Sequence, residues 1–475
     1  MEFRKVLALR GPNIWANSPV IEAWVDLGEL KDRASNEIPG FNERLMSWLP
    51  TMIEHRCSIG ERGGFFERLR RGTYMAHILE HVTLEIQTLA GVEVGYGRAR
   101  ETSEEGVYKV VFKYKEENLG RACIATAREL LLAAVHDRPF DVQAAIHPLH
   151  EMAERFMLGP STNAIVQAAR ERGIPHYRLN TQSLVQFGYG SKQRRIQAAE
   201  TDRSSAVAES IAQDKDLTRM FLQTVGVPVP DGRPVTDAED AWAAAQEIGA
   251  AVVVKPQDGS QGRGVATNLH TREQVIAAYQ AALQESDSII VERYAAGHDY
   301  RLLVVGGKVV AASRREPAHV IGDGTHTIRQ LVDVANTDPR RGDHHANVLS
   351  KMRLDAVALG VLHDQGCTPE SIPAVGQLVL IRRNANLSTG GTAIDVTERV
   401  HPAVAARAVD AAQVIGLDLC GIDVVARDIS IPLEEQGGIV VEVNAAPGLR
   451  MHLAPSVGVP RPVGEAIIDM MFEPG

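Results

Sequence analysis

Cysteine is scarce in this chain. Four residues in 475 (Cys57, Cys123, Cys367 and Cys420) stand far apart, with no CxxC pair. No disulfide framework can be read from them, which fits a reducing cytoplasm. Long apolar runs are missing too. No stretch reaches the ~18 residues that a membrane span needs, and the short apolar run before Arg10 is too brief for a signal peptide. Positive charge is in deficit: 50 Lys and Arg face 60 Asp and Glu, a net charge of -10. That excludes a global basic field for nucleic acid and leaves only a local basic groove as an electrostatic route. The GxxxxGK[ST] loop occurs nowhere, and no repeat of fixed period is present. What is there is an ordinary globular composition, 44% hydrophobic and 23% charged, which argues against disorder. The length suits about three domains or subdomains of roughly 150 residues each.

The pattern predicts an α+β protein. FRKVLAL (3–9) reads as a first strand, broken by GPN. GTYMAHILEHVTLEIQTLAG (72–91) carries helically spaced apolar residues and stops at Gly91. VYKVVFKYKEE (107–117) reads as a strand, and the segment from Leu119 to Asp137 as a helix. Together these give an N-terminal α+β domain over 1–160. A second unit opens with a helix near 158–175, capped by Ser161 or Thr162 and ended by Gly173-Ile174-Pro175. Helices around 203–225, 236–249, 271–286 and 402–416 then alternate with apolar strands. LLVVGGKVVAAS (302–313) reads as a hairpin turning at Gly306-Gly307.

Two clusters carry chemistry. Lys255 ends the apolar strand VVVKP and is followed by DGSQGRGV, with Gly259, Ser260, Gly262 and Gly264. A strand-end lysine beside a flexible glycine loop suits a triphosphate, because backbone N–H groups can close over phosphate oxygens. A plain surface loop is the alternative. Asp423, and nineteen residues later Glu442 and Asn444, follow two apolar strands. Alternation puts Glu442 and Asn444 on one face, and an antiparallel neighbour can set Asp423 beside them. Two carboxylates and an amide oxygen make a hard-oxygen site suited to Mg²⁺ on ATP phosphates; two strands that merely end in acids are the alternative. Lys215 precedes a helix, Glu292 ends a strand, and Asp299 follows seven residues later. Such a strand end can read adenine through its backbone, and a carboxylate can take ribose hydroxyls.

In order and strand context, Lys215, Lys255 with its loop, Glu292, Asp299, Asp423, Glu442 and Asn444 resemble the ATP-grasp ligases over about 158–475. The resemblance implies an ATP-grasp domain over 161–475 with a mobile lid at roughly 222–300. It puts Lys215 and Lys255 on phosphates, Glu292 near adenine, Asp299 on ribose, and Asp423, Glu442 and Asn444 on Mg²⁺. The implied chemistry is phosphorylation of a carboxylate to an acyl phosphate, then attack by an amine.

LALRGPNIW (7–15), GTYMAHILEHVTLEIQ (72–87), DGSQGRGV (258–265), RRNANLSTGGTAIDVT (382–397) and EVNAAPGLRMH (442–452) narrow the choice. This set resembles the cyanophycin synthetase family. That family builds a poly-aspartate backbone with arginine on each side chain. The resemblance implies a catalytic Arg301 and an acidic polymer end held near Asn386, Ser388, Gly390, Gly391, Arg450 and His452. It implies aspartate or a β-Asp-Arg dipeptide as the added unit, a homo-oligomer, often a tetramer, and no nucleic acid or membrane partner. Family members usually continue into a Mur-ligase-like domain, whereas this sequence stops at MFEPG, as a fragment or a natural short form.

His77-Ile78-Leu79-Glu80-His81 is an HxxEH string on a predicted helix. His77 and His81 share a face, so they would ligate Zn²⁺ with Glu80 as base for a metal-bound water. Glu85, Glu151 and Glu154 are unranked candidates for a third ligand. The alternative function is therefore a zinc hydrolase that cleaves polymer into primers, and the nearby Arg62, Arg68, Arg70 and Arg71 would otherwise dock acidic polymer.

Overall fold

In the computed structural model, residues 1–257, 264–342 and 348–472 are described, without the side chains of residues 154 and 155. The chain divides into two compact units, Met1–Met157 and Leu158–Gly475.

The first unit is an antiparallel sheet covered by helices. Strands β1 (Glu2–Leu9), β2 (Val20–Asp26), β3 (Gly97–Glu101) and β4 (Val107–Lys113) pair in the order β1-β2-β4-β3. Helices α1 (Phe41–Trp48), α2 (Gly64–Arg71), α3 (Met75–Leu89), α4 (Glu117–Val135) and α5 (Val142–Phe156) supply the rest. Ile21, Ala23, Val25, Val110 and Phe112 of the sheet meet Leu79, Val82 and Ile86 of α3 and Leu130 and Leu131 of α4 in one core. Nearly every residue of α3 from Met75 to Gln87 is buried. Its polar members, His77, Glu80, His81 and Glu85, therefore need partners inside the protein.

The second unit starts with α6 (Pro160–Glu171) and a small antiparallel sheet of β5 (His176–Arg178), β6 (Leu184–Phe187), β7 (Arg194–Gln197) and β8 (Glu200–Thr201). Pro160 takes the first helical position of α6 after Gly159, where its missing N–H costs nothing. The expected caps do other work: Ser161 Oγ accepts from the Leu449 N–H, and Thr162 donates to the Ala198 carbonyl. The single helix expected over 203–225 is two, α7 (Ala206–Gln213) and α8 (Lys215–Thr224). Asp214 separates them because its side chain accepts from the Asp216 and Leu217 N–H groups, a capping geometry that competes with helix continuation.

A layered region follows: β9 (Gly232–Val235), α9 (Ala238–Ile248), β10 (Val252–Pro256), β11 (Ala266–Leu269), α10 (Arg272–Leu283) and β12 (Ile289–Arg293). The strands pair as β11-β10-β12-β9, with α9 and α10 packed on a core of their own. Next come β13 (His298–Val305) and β14 (Lys308–Glu316). A small subdomain of β15 (His319–Ile321), α11 (Ile328–Asn336), β16 (Arg341–Gly342), β17 (Leu349–Ser350), α12 (Ala356–Asp364) and β18 (Leu378–Leu380) is inserted after them, with a separate core. The chain ends with β19 (Thr392–Asp395), α13 (Pro402–Ile415), β20 (Leu419–Ala426), α14 (Leu433–Gln436), β21 (Ile439–Asn444), α15 (Arg450–Leu453) and α16 (Val463–Phe472).

The central sheet runs β19-β14-β13-β20-β21. Alternation sorts its side chains. Leu302, Val304, Ile422 and Val424 join one core with α13, and Leu303, Val305, Ala311 and Leu419 join another with α6 and α16. No helix among the described residues is long and apolar enough to cross a membrane.

Candidate functional site

On the second face, the apolar core gives way to charge. The register sets Asp395 opposite Ser313, Ser313 opposite Arg301, Arg301 opposite Asp423, and Asp423 opposite Glu442. One polar row thus crosses all five strands. Arg301 chelates the Asp423 carboxylate through Nε and Nη2, the latter at 3.1 Å. Arg315 reaches the same carboxylate at 3.2 Å and approaches Asp299 at 3.8 Å. Burial pushes the Asp423 carboxyl up, but Arg301 and Arg315 outweigh it and hold it below the usual range. Asp299 has the opposite balance, because burial raises it and Arg315 offsets this only in part. Asn444 lies opposite Gly421 and donates to its carbonyl at 3.3 Å, which leaves its own side-chain oxygen as an acceptor.

Two other expected segments meet this row. His452 of α15 is 2% exposed and hydrogen-bonds Ser313 Oγ through Nδ1 at 3.0 Å. The expected turn 386–391 is anchored to the same helix, because Leu387 packs with Ala393 and Met451. Its glycines are structural necessities. Gly390 has φ +97°, and a Cβ there would lie 2.6 Å from Met352; a Cβ on Gly391 would lie 2.7 Å from the Glu316 carbonyl. Ser388 is the exposed middle of this turn. Arg450, beside His452, has its guanidinium shifted downward by burial.

Burial pushes the His452 imidazole down to about 3, with Arg301 adding to it. The folded state therefore holds this ring neutral while the unfolded chain protonates it below about 6.5. Stability from this group is complete above pH 6.5 and is lost as pH falls towards 3. Between pH 7 and pH 5, His452→Gln should lose about 2 kcal/mol less unfolding free energy than the wild type, read by chemical denaturation; parallel losses would contradict it.

A cleft in the same unit is lined by Lys215, Thr218 and Arg219 of α8, Val229 and Pro230, Lys255 of β10, Glu292 of β12, and Val440 to Val443 of β21. Lys255 and Glu292 are both buried, and they pair at 2.5 Å between adjacent strands. Glu442 belongs both to the cleft and to the polar row. The cleft thus joins Lys215, Lys255, Glu292 and Glu442, while Arg301, Asp299 and Asp423 meet on the row. Gly259, Ser260 and Gly262 lie outside the described residues; Gly264 turns with φ +66°. Arg219 and Arg315 are further cations of the cleft and row. Arg219 stands four residues after Lys215, which is the spacing of a shared helix face. Arg315 has no local signal, because only strand pairing brings it to Asp423.

The first unit holds a separate cluster. Cys57, His77 and His81 place one ligand atom each within 4.8 Å of one another. Burial lowers His77 to about 4, with Arg68 adding to the effect, and lowers His81 to about 2, with His77 and His55 adding. Both rings are therefore neutral, the form that ligates metal. Phe65 stacks on His81 with ring centroids 4.2 Å apart. Glu80 stands apart from this group. It packs where a Cβ on Gly97 would fall, and burial pushes its carboxyl up to about 7 against the pull of Arg98. Glu85 bonds His55, and Glu151 pairs with the exposed His147 at 3.3 Å. The Glu154 side chain lies outside the described residues. Arg62 pairs with Glu54, and Arg70 and Arg71 with Glu67, on the surface. Cys57 is the donor that sequence spacing passed over, twenty residues before His77.

Residues 22–136 match the family model of a cyanophycin synthase-like N-terminal domain, and residues 208–299 match that of an ATP-grasp domain. The cyanophycin synthetase of Crocosphaera subtropica is 45% identical over 482 residues, covering 100% of this chain and 55% of that protein. That of Synechocystis is 46% identical over 483 residues, with the same coverage. The chain thus spans about half the length of these curated relatives. Among solved structures, a bifunctional glutathione synthetase from Pasteurella multocida has a TM-score of 0.53 at 19% identity, covering 96% of this chain and 82% of that one; that likeness is one of fold alone. The hydrolase alternative gains no support from these likenesses.

Proposed function

The chain is related along its whole length to the cyanophycin synthetases, and from that kinship we propose that its second unit is an ATP-dependent carboxylate–amine ligase of cyanophycin synthesis. The observation that carries this reading is the meeting at Glu442 of a lysine-lined cleft with a buried row of charge. Lys215, Lys255 and Arg219 would face the nucleotide phosphates, and Glu292 holds Lys255 in place. Asp299 would take the ribose.

Glu442, Asn444 and Asp423 offer oxygen donors of the kind Mg²⁺ prefers. Bound there, Mg²⁺ supplies charge neutralisation on the transferring phosphoryl group. Arg301 and Arg315 enclose Asp423 in a dry site where charge–charge terms are strong. The buried Nε of Arg315 and Nε2 of His452 have no partner among the described residues. A donor and an acceptor left so are costly unless a ligand satisfies them. The carboxylate end of an acidic polymer fits the first, and an incoming ammonium fits the second. Asn386, Ser388, Gly390, Gly391 and Arg450 would line its approach. The chain-end carboxylate attacks the terminal phosphate of ATP to give acyl phosphate and ADP. The amine of aspartate or of a β-Asp-Arg dipeptide then displaces phosphate.

A cytoplasmic homo-oligomer is the form this reading takes. In the first unit, the donor chemistry of His77 and His81 beside Cys57 supports a divalent transition metal of the zinc kind.

The test supplies a short β-Asp-Arg primer with ATP and Mg²⁺ and offers aspartate and the dipeptide separately. One of the two should lengthen the primer by one unit per ADP released, as followed by mass. Absence of primer-dependent ADP release with both would overturn the proposal.

A further inference from the structure

Turn 386–391 is shaped by its own bonds. Thr389 Oγ1 donates to the Asn386 carbonyl at 3.0 Å, and the Gly390 and Gly391 N–H groups donate to the Leu387 and Asn386 carbonyls. Such bonds set the form of a turn and leave its place open. Its place is fixed from two sides. On one, Leu387 packs with Met451 of α15, the helix that carries His452. On the other stands the subdomain inserted between β14 and β19.

Two side chains of that subdomain hold the turn. Arg341 of β16 stands beside β17, where it pairs in parallel with Leu349. Its Nη1 donates to the Ser350 carbonyl at 2.7 Å and to the Gly390 carbonyl at 3.0 Å. Burial shifts the guanidinium downward, with Asp338 pulling the other way, so the cation is kept there at a cost. What it gains is a charge-assisted bond, stronger than a neutral one, to a backbone carbonyl of the turn. The second hold is steric. Met352 is buried and fills the space beside Gly390, where a Cβ would lie 2.6 Å from its Cγ. Methionine is a flexible side chain, but the backbone that carries this one is clamped. Asn336, the last residue of α11, donates from Nδ2 to the Met352 carbonyl and accepts the Met352 N–H through Oδ1, both at 2.9 Å. Arg341 thus pins the turn's backbone, and Asn336 fixes the residue that blocks its retreat.

We propose that Arg341 and Asn336 are positioning residues of the ligase: from the inserted subdomain they hold turn 386–391 in place, and so set how well the carboxylate end of the polymer is bound. This rests on the reading of that turn as a lining of the polymer's approach. Neither residue touches substrate. Both act through the backbone of the turn, whose exposed Ser388 faces solvent. The nucleotide cleft is lined by α8, β10, β12 and β21, none of which either residue contacts through the bonds described, so their effect falls on the polymer and not on ATP.

The experiment follows ADP release by the full chain, with a β-Asp-Arg primer varied at saturating ATP and ATP varied at saturating primer. Arg341→Met should raise the primer KM about 10–100-fold and leave the ATP KM unchanged. Arg341→Lys, whose ammonium can donate to both carbonyls, should recover part of the loss. Asn336→Leu should shift the primer KM in the same direction by a smaller factor, because the Met352 side chain is still present. Where Arg341→Met does not fold, as read by its melting temperature, Arg341→Lys and Asn336→Leu carry the test. A fall in kcat with both KM values unchanged would mean a purely structural role and overturn the proposal, as would a rise in both KM values together. Ser388→Trp, a bulky block on the exposed middle of the turn, separates this inference from the reading beneath it. A raised primer KM in Ser388→Trp with none in the Arg341 and Asn336 variants would leave the polymer's approach standing and remove the positioning role. An unchanged primer KM in Ser388→Trp would remove the approach over this turn, and the positioning role with it.

Discussion

Glu442→Gln should lower primer-dependent ADP release by about a hundredfold to a thousandfold while leaving the melting temperature near that of the wild type. Lys255→Ala should lower it at least as far. The two variants fail for different reasons, and that difference makes the pair informative. Glu442 is half-buried on the edge strand β21, so an amide of the same shape fits without repacking. What it removes is one negative oxygen at the junction of the cleft and the polar row. Lys255 is 7% exposed and closed onto Glu292. On the proposed function its truncation would remove a cation from the phosphates, and it also strands a buried carboxylate, at a cost of about 3 kcal/mol. Lys255→Ala should therefore melt earlier, and the double variant Lys255→Met with Glu292→Gln should regain stability without regaining turnover. Wild-type ADP release in folded Glu442→Gln would remove the junction from the mechanism.

The readable and unreadable parts of this protein divide along sequence distance. Lys255, Glu442 and Asn444 stand at the ends of apolar strands, where a two-residue alternation shows in the letters. The pairing of Asp423 with Glu442 follows from two neighbouring strands, and the register bears it out. Hairpin β13–β14 was visible at its two glycines. Arg315 was not visible, because nothing near it in sequence distinguishes it from Arg314. Only the register with β13 and β20 turns one inward to Asp423 and leaves the other on the opposite face. His55 and Cys57 were hidden in the same way, since a turn ahead of α2 has no period to read. The break at Asp214 was missed because apolar spacing continued across it while a side-chain cap stopped the helix. The subdomain between β14 and β19 has strands of two or three residues, which are too short to show alternation.

Gly421→Ala is expected to cut turnover by about a hundredfold, although alanine normally suits a strand better than glycine. The backbone of Gly421 does not demand glycine; the space beside it does. A Cβ there would fall 2.8 Å from Arg301 Cδ, 3.0 Å from Arg301 Nη1 and 3.1 Å from Pro447 Cβ. Arg301 is itself fixed by its two-point hold on Asp423 and is only 8% exposed, so it cannot yield freely. The methyl group must displace the guanidinium from Asp423 or spread β20 from β13. Overpacking of this kind costs about 1–3 kcal/mol, and a misplacement of about 1 Å at a reacting centre costs on the order of a hundredfold in rate. Arg301→Lys in the Gly421→Ala background separates the two costs. Lysine keeps the Cδ but lacks the Nη1 contact and the two-point hold that fixes the side chain, so it can swing aside and the melting temperature should recover. Turnover should not, because a lysine cannot chelate the carboxylate in the planar two-point fashion of arginine. Gly421→Ala with undiminished turnover would mean that Arg301 needs no fixed position. The row across the sheet would then be a structural ion pair and not part of the catalytic apparatus.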